Sequence, residues 1–397
     1  MDTVPDASAR PVNTGRVIVL LALAAFASAC AFRICDPLLP QLSREFGVST
    51  GEAAHAVTLF TVAYGVFQFL FGPVGDRYGK YLTITAATLL CAVGSIGVAL
   101  APSMDAMVLA RLVSGAAGAG IVPLSMAWIG DNVEYAERQA TLARFVSGTI
   151  LGMAAGQLIG GVFADTLGWR WAFVFLACIY LCVGALLAIM RPPRQSQATG
   201  AGAGFLRPMA EVIATPWARV VLATVFVEGA LVFGVLAFVP AYLQIRFGLG
   251  PTAAGAVGGI FALGGIAYVV IARRLVAALG ESGLVAAGGL TLAVAFALYA
   301  LGPAWSWSVL AGLACGFGFY MFHNTLQTNA TQMMPARRGT AVALFACFLF
   351  LGQSAGVASG ALLVDGVGAH WLFWGAAALI PLLGWAFSAA LGRRKGR

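Results

Sequence analysis

Charge is what this sequence lacks. Only 10% of its 397 residues are Asp, Glu, Lys or Arg, whereas 60% are hydrophobic. Soluble domains carry about 25% charged residues, so this chain cannot cover its surface with solvated side chains. Three histidines and seven cysteines without CxxC or Cys/His spacing predict no metal, no disulfide and no cofactor. No GxxxxGK[ST] loop is present, so the sequence offers no ATP site.

Long hydrophobic runs are what it has instead. A helix needs about 20 apolar residues to cross a bilayer. Twelve runs meet this length and predict an all-α membrane protein with transmembrane helices 1 to 12 at 17–41, 53–72, 81–101, 105–129, 141–164, 169–190, 217–243, 252–276, 283–302, 305–333, 340–363 and 370–391.

The basic residues predict the orientation of these helices. With the N-terminus inside, 18 of the 23 lysines and arginines fall in cytoplasmic segments, three fall on the opposite side and two fall within helices. The positive-inside rule therefore places both ends in the cytoplasm. We read the net charge of +8 as this topology signal, not as a nucleic-acid surface. The expected location is a plasma membrane, with the inner membrane of a bacterium favoured by the compact loops.

The two halves of the chain repeat at an offset of 200 residues. Asp165 recurs as Asp365 and Phe173 as Phe373, and three glycines of helix 5 recur in helix 11. The repeat predicts two pseudo-symmetric six-helix bundles with a substrate cavity between them near the middle of the membrane. The predicted segments are a cytoplasmic tail at 1–16, bundles at 17–190 and 217–391, a Pro/Gly-rich cytoplasmic linker at 191–216 and a basic tail at 392–397.

Three short motifs occupy particular places in this pattern. Gly72-Pro-Val-Gly-Asp-Arg-Tyr-Gly-Lys80 joins helices 2 and 3, Arg111-Leu-Val-Ser-Gly115 lies in helix 4, and Gly152-Met-Ala-Ala-Gly-Gln-Leu-Ile-Gly-Gly161 lies in helix 5. On these motifs the chain resembles the major facilitator superfamily, and in particular its twelve-helix drug:proton antiporter branch. Gln157 stands where that branch usually has a proline.

The resemblance implies roles for two sets of residues. The first set is a conformational latch that holds the cytoplasmic side closed, with the carboxylate of Asp76 facing the start of helix 11; it comprises Gly72, Asp76, Arg77, Gly79, Lys80 and Arg138. The second set consists of small-residue faces that let two helices approach closely, on helices 5 and 11, which in the family lie along the interface between the bundles; it comprises Gly152, Gly156, Gly160, Gly352, Gly356 and Gly360.

Ionisable residues inside membrane helices are costly and therefore suggest function. Asp36 is the first candidate for proton coupling, with Arg111 as its partner; the alternative is a static ion pair of Asp36 with Arg33 or with Arg111. Glu228 is a second candidate, either as a protonation site, as an anchor for a cationic substrate or as a purely structural group.

Other polar side chains in the predicted helices could contact a substrate. His323 and Gln327 share a face of helix 10 because they are four residues apart. Hydrogen bonding within the scaffold is the alternative for each member of the set, which comprises Arg33, Gln68, Gln157, Glu228, His323 and Gln327.

Together these features predict a secondary active transporter that works by alternating access. We expect proton-coupled efflux of a small hydrophobic or amphipathic compound by a monomer whose partners are substrate, protons and the bilayer. The alternative is uptake or facilitated export of a polar metabolite, either a sugar or an organic anion. A non-transporting sensor or a membrane-embedded enzyme is a remote alternative, because no nucleophile elbow, acid pair or effector domain is present.

Overall fold

The computed structural model describes residues 14–190 and 206–395. Residues 1–13 of the predicted N-terminal tail, residues 191–205 of the predicted linker and residues 396–397 of the basic tail lie outside the described residues. In the described part, every regular element is helical. The all-α membrane fold predicted from the hydrophobic runs is confirmed.

The described chain contains eleven helical stretches that are long and apolar enough to cross a membrane. Ten of these stretches each correspond to one transmembrane helix. Their bounds are Thr14–Phe46 for helix 1, Thr50–Tyr78 for helix 2, Lys80–Ala99 for helix 3, Met104–Asn132 for helix 4, Tyr135–Asp165 for helix 5, Trp169–Ile189 for helix 6, Pro216–Phe247 for helix 7, Ser306–Gln332 for helix 10, Pro335–Gly366 for helix 11 and Ala369–Lys395 for helix 12.

The remaining stretch, Pro251–Leu301, contains helices 8 and 9. A straight helix of its 51 residues would be about 77 Å long, far more than the ~30 Å of a hydrocarbon core. The stretch turns at Gly280, whose φ of 62° and ψ of −178° are not helical and suit glycine alone. The chain therefore crosses twelve times, and both described ends lie on one side. We call this the basic side and the opposite one the far side.

Several helices are interrupted near their middle. Helix 1 stops at Arg33, continues as a 3-10 turn over Asp36–Leu38 and resumes at Leu39. Helix 7 contains a π-helical segment at Ala230–Gly234. Pro37 follows the break in helix 1, and proline cannot supply the backbone N–H that a continuous helix needs. These breaks turn side chains of helices 1 and 7 toward the space between the bundles.

Two predicted boundaries differ from the structure. Helix 2 continues through the predicted loop as far as Tyr78, with Pro73 inside it, so only Gly79 separates helices 2 and 3. The φ of 95° at Gly79 explains why glycine stands there. In addition, part of the predicted linker forms a short helix, Leu206–Ala214.

Helices 5 and 11 border the opposite bundle, but their glycine faces pack within their own bundles. A Cβ at Gly156 would overlap the carbonyl oxygen of Cys30 in helix 1, and a Cβ at Gly356 would overlap that of Ala230 in helix 7. Gly152 and Gly160 likewise face helix 1, Gly352 faces helix 7, and Gly360 faces Phe238 and Leu372. The glycine faces thus allow close packing within a bundle, and helices 5 and 11 use other faces to contact the opposite bundle.

The bundles meet between helices 5 and 8, between helices 2 and 11, and where Gln244 of helix 7 donates a hydrogen bond to the carbonyl of Pro37 in helix 1. Helix 5 meets helix 8 where Gly161 lies against the backbone of Pro251. Helix 2 meets helix 11 through a hydrogen bond of 2.6 Å between the hydroxyls of Thr61 and Ser354. Farther toward the basic side, a Cβ at Gly72 in helix 2 would meet nothing within 4 Å. Helices 2 and 11 are therefore in contact at the far side and separate beyond it.

Candidate functional site

A buried ionic cluster lies at the break in helix 1. The Arg33 guanidinium donates from Nη1 to Asp36 Oδ2 at 3.1 Å, and the Gln157 amide donates from Nε2 to the same oxygen at 3.1 Å. Asp36 is 0% exposed, and its other carboxylate oxygen has no hydrogen-bond partner. A carboxylate in this position depends on Arg33 for charge compensation, since an unpaired buried charge is strongly unfavourable.

Local sequence explains how the three side chains meet. Arg33 ends the first segment of helix 1, and Asp36 is the first residue of the 3-10 turn beyond the break, with Pro37 as the second. The two ionic side chains are therefore only three residues apart. Gln157 approaches from helix 5, which packs closely on helix 1 through Gly156. A proline at position 157 could not donate a side-chain hydrogen bond to Asp36. Gln157, which stands where the antiporter branch usually has a proline, therefore completes the cluster.

The cluster opens onto a cavity between the bundles. About 450 Å³ of empty space, counting its open mouth, is enclosed by residues of both halves of the chain. Its described lining comprises Arg33, Ile150, Met153, Ala154, Gln157, Phe233, Leu236, Gly258, Gly259, Phe261, Ala262 and Tyr320. The guanidinium of Arg33 lies 4.9 Å from the ring centroid of Phe233, within cation–π range. The cavity thus combines apolar and aromatic walls with one guanidinium and one amide.

Arg111 does not bond to Asp36 in this structure. It donates from Nη1 to the carbonyl of Ala31 at 3.0 Å and from Nε to the carbonyl of Ala56 at 3.1 Å. Its guanidinium carbon lies 3.9 Å from the ring centroid of Phe60. Of the two partners predicted for Asp36, the structure therefore pairs it with Arg33. Arg111 instead connects helix 4 to the backbones of helices 1 and 2.

A second buried pair of ionisable side chains lies in the other half of the chain. Nδ1 of His323 is 2.8 Å from Oε2 of Glu228, and the imidazole stacks on Phe319 with ring centroids 4.7 Å apart. Glu228 is 0% exposed, and its Oε1 has no partner. The sequence predicted both residues as candidates separately, and the structure brings them together. Neither is among the described residues that line the cavity.

The remaining predicted polar residues lie apart from both clusters. Gln68 is half-buried with an unpartnered Oε1, and Gln327 is exposed. Neither belongs to the described cavity lining. The predicted substrate residues are thus divided in this state, with Arg33 and Gln157 at the cavity and the other four away from it.

The six residues of the predicted latch occupy the basic side of helices 2 to 5. Asp76 and Arg77 are exposed in the last turn of helix 2, and Gly72 stands in open space. Lys80 forms an ion pair with Asp131 at the end of helix 4. Arg138 donates to the carbonyl of Val133 at 3.2 Å. The sequence analysis did not single out Asp131.

A family model for the Major Facilitator Superfamily matches residues 21–356. The chain belongs to this superfamily. Among its relatives, the MFS-type transporter YwfA of Bacillus subtilis is 28% identical over 307 residues, which are 74% of this chain and 73% of YwfA. The Lincomycin resistance protein of Streptomyces lincolnensis is 28% identical over 49% of this chain and 40% of its own length. The Multidrug export protein EmrB of Haemophilus influenzae is 26% identical over 44% and 34%, respectively.

Solved structures of the superfamily share the fold of this chain. The nucleoside transporter NupG superposes with a TM-score of 0.78 at 12% identity and covers 94% of this chain and 98% of its own. A D-xylose-proton symporter gives 0.77 at 14% identity, with coverages of 94% and 97%. At these identities the likeness concerns the fold alone. As a superfamily member, the protein is a multi-pass membrane protein that performs secondary transport of a small molecule.

One buried polar residue of this facilitator was missed from the sequence. Gln353 in helix 11 is 1% exposed, and both polar atoms of its side chain lack a partner. Its backbone packs against Gly229, next to Glu228 in helix 7. The sequence signal that could have identified Gln353 is a lone amide within an apolar run, because amide side chains inside a membrane form hydrogen bonds with neighbouring helices.

Proposed function

We propose that this protein exports a small hydrophobic or amphipathic compound and couples the export to proton entry by alternating access. The observation that carries the proposal is the Arg33–Asp36 pair: a fully buried carboxylate is neutralised by a guanidinium that itself lines the cavity. In this proposal Asp36 is the proton site, Arg33 is its partner, and the cavity between the bundles receives the substrate.

The charge balance of the pair supplies the coupling. When Asp36 takes up a proton, Arg33 is left with an unpaired positive charge at the cavity wall. That charge disfavours binding of a cationic substrate by repulsion. It also disfavours binding of an apolar substrate, because the substrate would displace the water that solvates the guanidinium. Binding of the proton and binding of such a substrate therefore exclude each other, as antiport requires.

A second candidate follows from the same guanidinium. Arg33 is the one charged side chain among the described residues of the cavity lining, and an organic anion would bind better once Asp36 is protonated. Proton and anion would then be transported together. The polar-metabolite alternative thus predicts coupling of the opposite sign, and the direction of proton movement distinguishes the two candidates.

The comparisons support export without deciding it. One relative is a resistance protein and another a multidrug export protein, whereas the likeness to the solved nucleoside and xylose transporters concerns the fold and favours neither candidate. We further propose that the basic side faces the cytoplasm of a bacterial cell, that the protein is a monomer, and that the structure corresponds to the inward-open state. Its contacts at the far side and the free helix 2 at the basic side support this assignment.

The test uses proteoliposomes that contain an internal pH indicator. A thermal-shift screen of lipophilic cations, neutral drugs and aromatic anions first selects a compound that stabilises the protein. Addition of a selected cationic or neutral compound should drive protons out of acid-loaded vesicles with the wild type but not with Asp36→Asn. Asp105→Asn, at an exposed aspartate at the start of helix 4, is the matched control. Unchanged proton movement with Asp36→Asn would contradict the proposal.

A further inference from the structure

Two aspartates connect the bundles at the far side, one from each half of the chain. Asp365, at the end of helix 11, accepts hydrogen bonds from the Ser49 hydroxyl at 2.6 Å and from the Gly51 N–H at 2.9 Å. Asp165, at the end of helix 5, accepts a hydrogen bond from the Thr252 N–H at 2.7 Å. Each carboxylate therefore lies at the start of a helix in the opposite bundle, namely helix 2 or helix 8.

The start of a helix is a favourable place for a carboxylate. Its first N–H groups have no partner within the helix and carry a partial positive charge. Helix 8 cannot cap itself, because its N-cap residue is Gly250, which has no side chain. Asp165 thus supplies from the other bundle the acceptor that this helix lacks. In helix 2, Ser49 accepts from the Glu52 N–H and donates its own hydroxyl to Asp365.

The two caps are related by the internal repeat. Asp165 and Asp365 are separated by the repeat offset of 200 residues, so the pseudo-symmetry of the fold places them at equivalent ends of helices 5 and 11. Both carboxylates contact the facing glycine: a Cβ at Gly51 would overlap the carboxylate of Asp365, and a Cβ at Gly250 would lie in van der Waals contact with Asp165, at 3.4 Å. A plain surface turn would need neither the reciprocal arrangement nor this close approach.

We propose that Asp165 and Asp365 form a reciprocal latch that holds the far side closed and that opens when the bundles rock apart. Rocking that separates helix 5 from helix 8 and helix 2 from helix 11 removes both carboxylates from their helix ends at once. The latch therefore sets the balance between the two access states. It lies apart from Asp36 and from the described cavity lining, so the inference does not depend on the substrate or on the coupling ion.

Distance measurements on the full-length protein test the latch without any substrate. Leu167→Cys and Val367→Cys place spin labels on exposed far-side residues of the two bundles, in a background where the exposed Cys178 and Cys182 are alanine. In nanodiscs, the wild type should give one short distance. Asp165→Ala and Asp365→Ala should each raise the population of a longer distance about tenfold, as expected for loss of a hydrogen bond to a charged group.

The double variant should show the largest shift, and Asp105→Ala should show none. Asp165→Asn and Asp365→Asn retain an acceptor oxygen and should shift the distances less than alanine does. This pair also provides the test if the alanine variants fail to assemble, because the double asparagine variant should still populate the longer distance measurably. A double variant with the wild-type distance distribution, or a control with an equal shift, would overturn the latch. Neither outcome bears on Asp36 or on proton coupling.

Discussion

The two bundles share their packing but not their buried charges. Gly156 lies on the carbonyl of Cys30 just as Gly356 lies on that of Ala230. The N-terminal bundle holds the Arg33–Asp36 pair, whereas the repeat positions of these residues are Phe233 and Leu236. Positions that repeat thus support the scaffold and the far-side contacts, and positions that depart from the repeat hold the buried Arg33–Asp36 pair.

The C-terminal bundle has a hydrogen-bonded pair of ionisable side chains in a different place. Glu228 and His323 connect helices 7 and 10, while Arg33, Asp36 and Gln157 connect helices 1 and 5. Only the N-terminal cluster reaches the described cavity lining. We therefore propose that the N-terminal bundle couples protons, and that Glu228 and His323 influence transport without contacting the substrate.

The largest expected effect comes from breaking what the bundles share. Gly156→Leu should abolish transport and lower the unfolding temperature by several degrees, because the side chain would force helix 5 away from helix 1 at a cost of at least 1–3 kcal/mol. Gly356→Leu should do the same between helices 11 and 7. Thermal unfolding in detergent and transport in vesicles measure both effects.

A matched glycine outside these faces provides the control. A Cβ at Gly148, two turns earlier in helix 5, would have its nearest neighbour at 3.9 Å, so Gly148→Leu should remain folded and active. The expected loss follows from packing within the N-terminal bundle, since Gly156 lies against helix 1. Full transport by Gly156→Leu would contradict the packing that the two halves share.

Glu228→Gln is expected to have an intermediate effect and tests what the bundles do not share. Glutamine keeps an acceptor for His323 and removes the charge, so transport should slow by about tenfold, consistent with the weakening of one charge-assisted hydrogen bond. Asp36→Asn should instead abolish proton coupling. Initial transport rates of the two variants, measured in parallel with His323→Gln, give the comparison. If Glu228→Gln eliminates coupling and Asp36→Asn does not, the roles of the bundles are the reverse of those proposed.

The sequence predicted much of the fold but little of the side-chain pairing. Hydropathy and basic residues suffice for membrane helices, and the scarcity of intramembrane charge identifies Asp36 and Glu228 directly. Pairing depends on tertiary geometry. Arg33 and Asp36 are three residues apart, so the sequence could offer their pairing as one alternative, whereas Glu228 and His323 are 95 positions apart and no local pattern connects them.

The glycine motif of helix 5 shows the same limit in another form. A small-residue face predicts that some helix approaches closely, yet the spacing of Gly152, Gly156 and Gly160 is equally compatible with any neighbour. The structure identifies helix 1 as that neighbour. Likewise, the glycine-rich motif at 72–80 predicted a loop, whereas its first seven residues, with Pro73 among them, continue helix 2.

Substitution of Asp76 is expected to have the smallest effect on the far-side-closed state. The repeat position of Asp76 is occupied by Val276, so this acid occurs in one half of the chain only. Asp76 is exposed in the last turn of helix 2, where an acid opposes the negative end of the helix dipole. It therefore does not stabilise the far-side-closed state. We propose that it stabilises the opposite state, in which the basic side closes and Asp76 meets the start of helix 11.

Asp76→Asn should leave compound binding in detergent within twofold of the wild type and should slow transport in vesicles. Its shift of the far-side spin-label distances should be opposite to that of Asp365→Asn, and a loss of binding instead would show that Asp76 is not a latch.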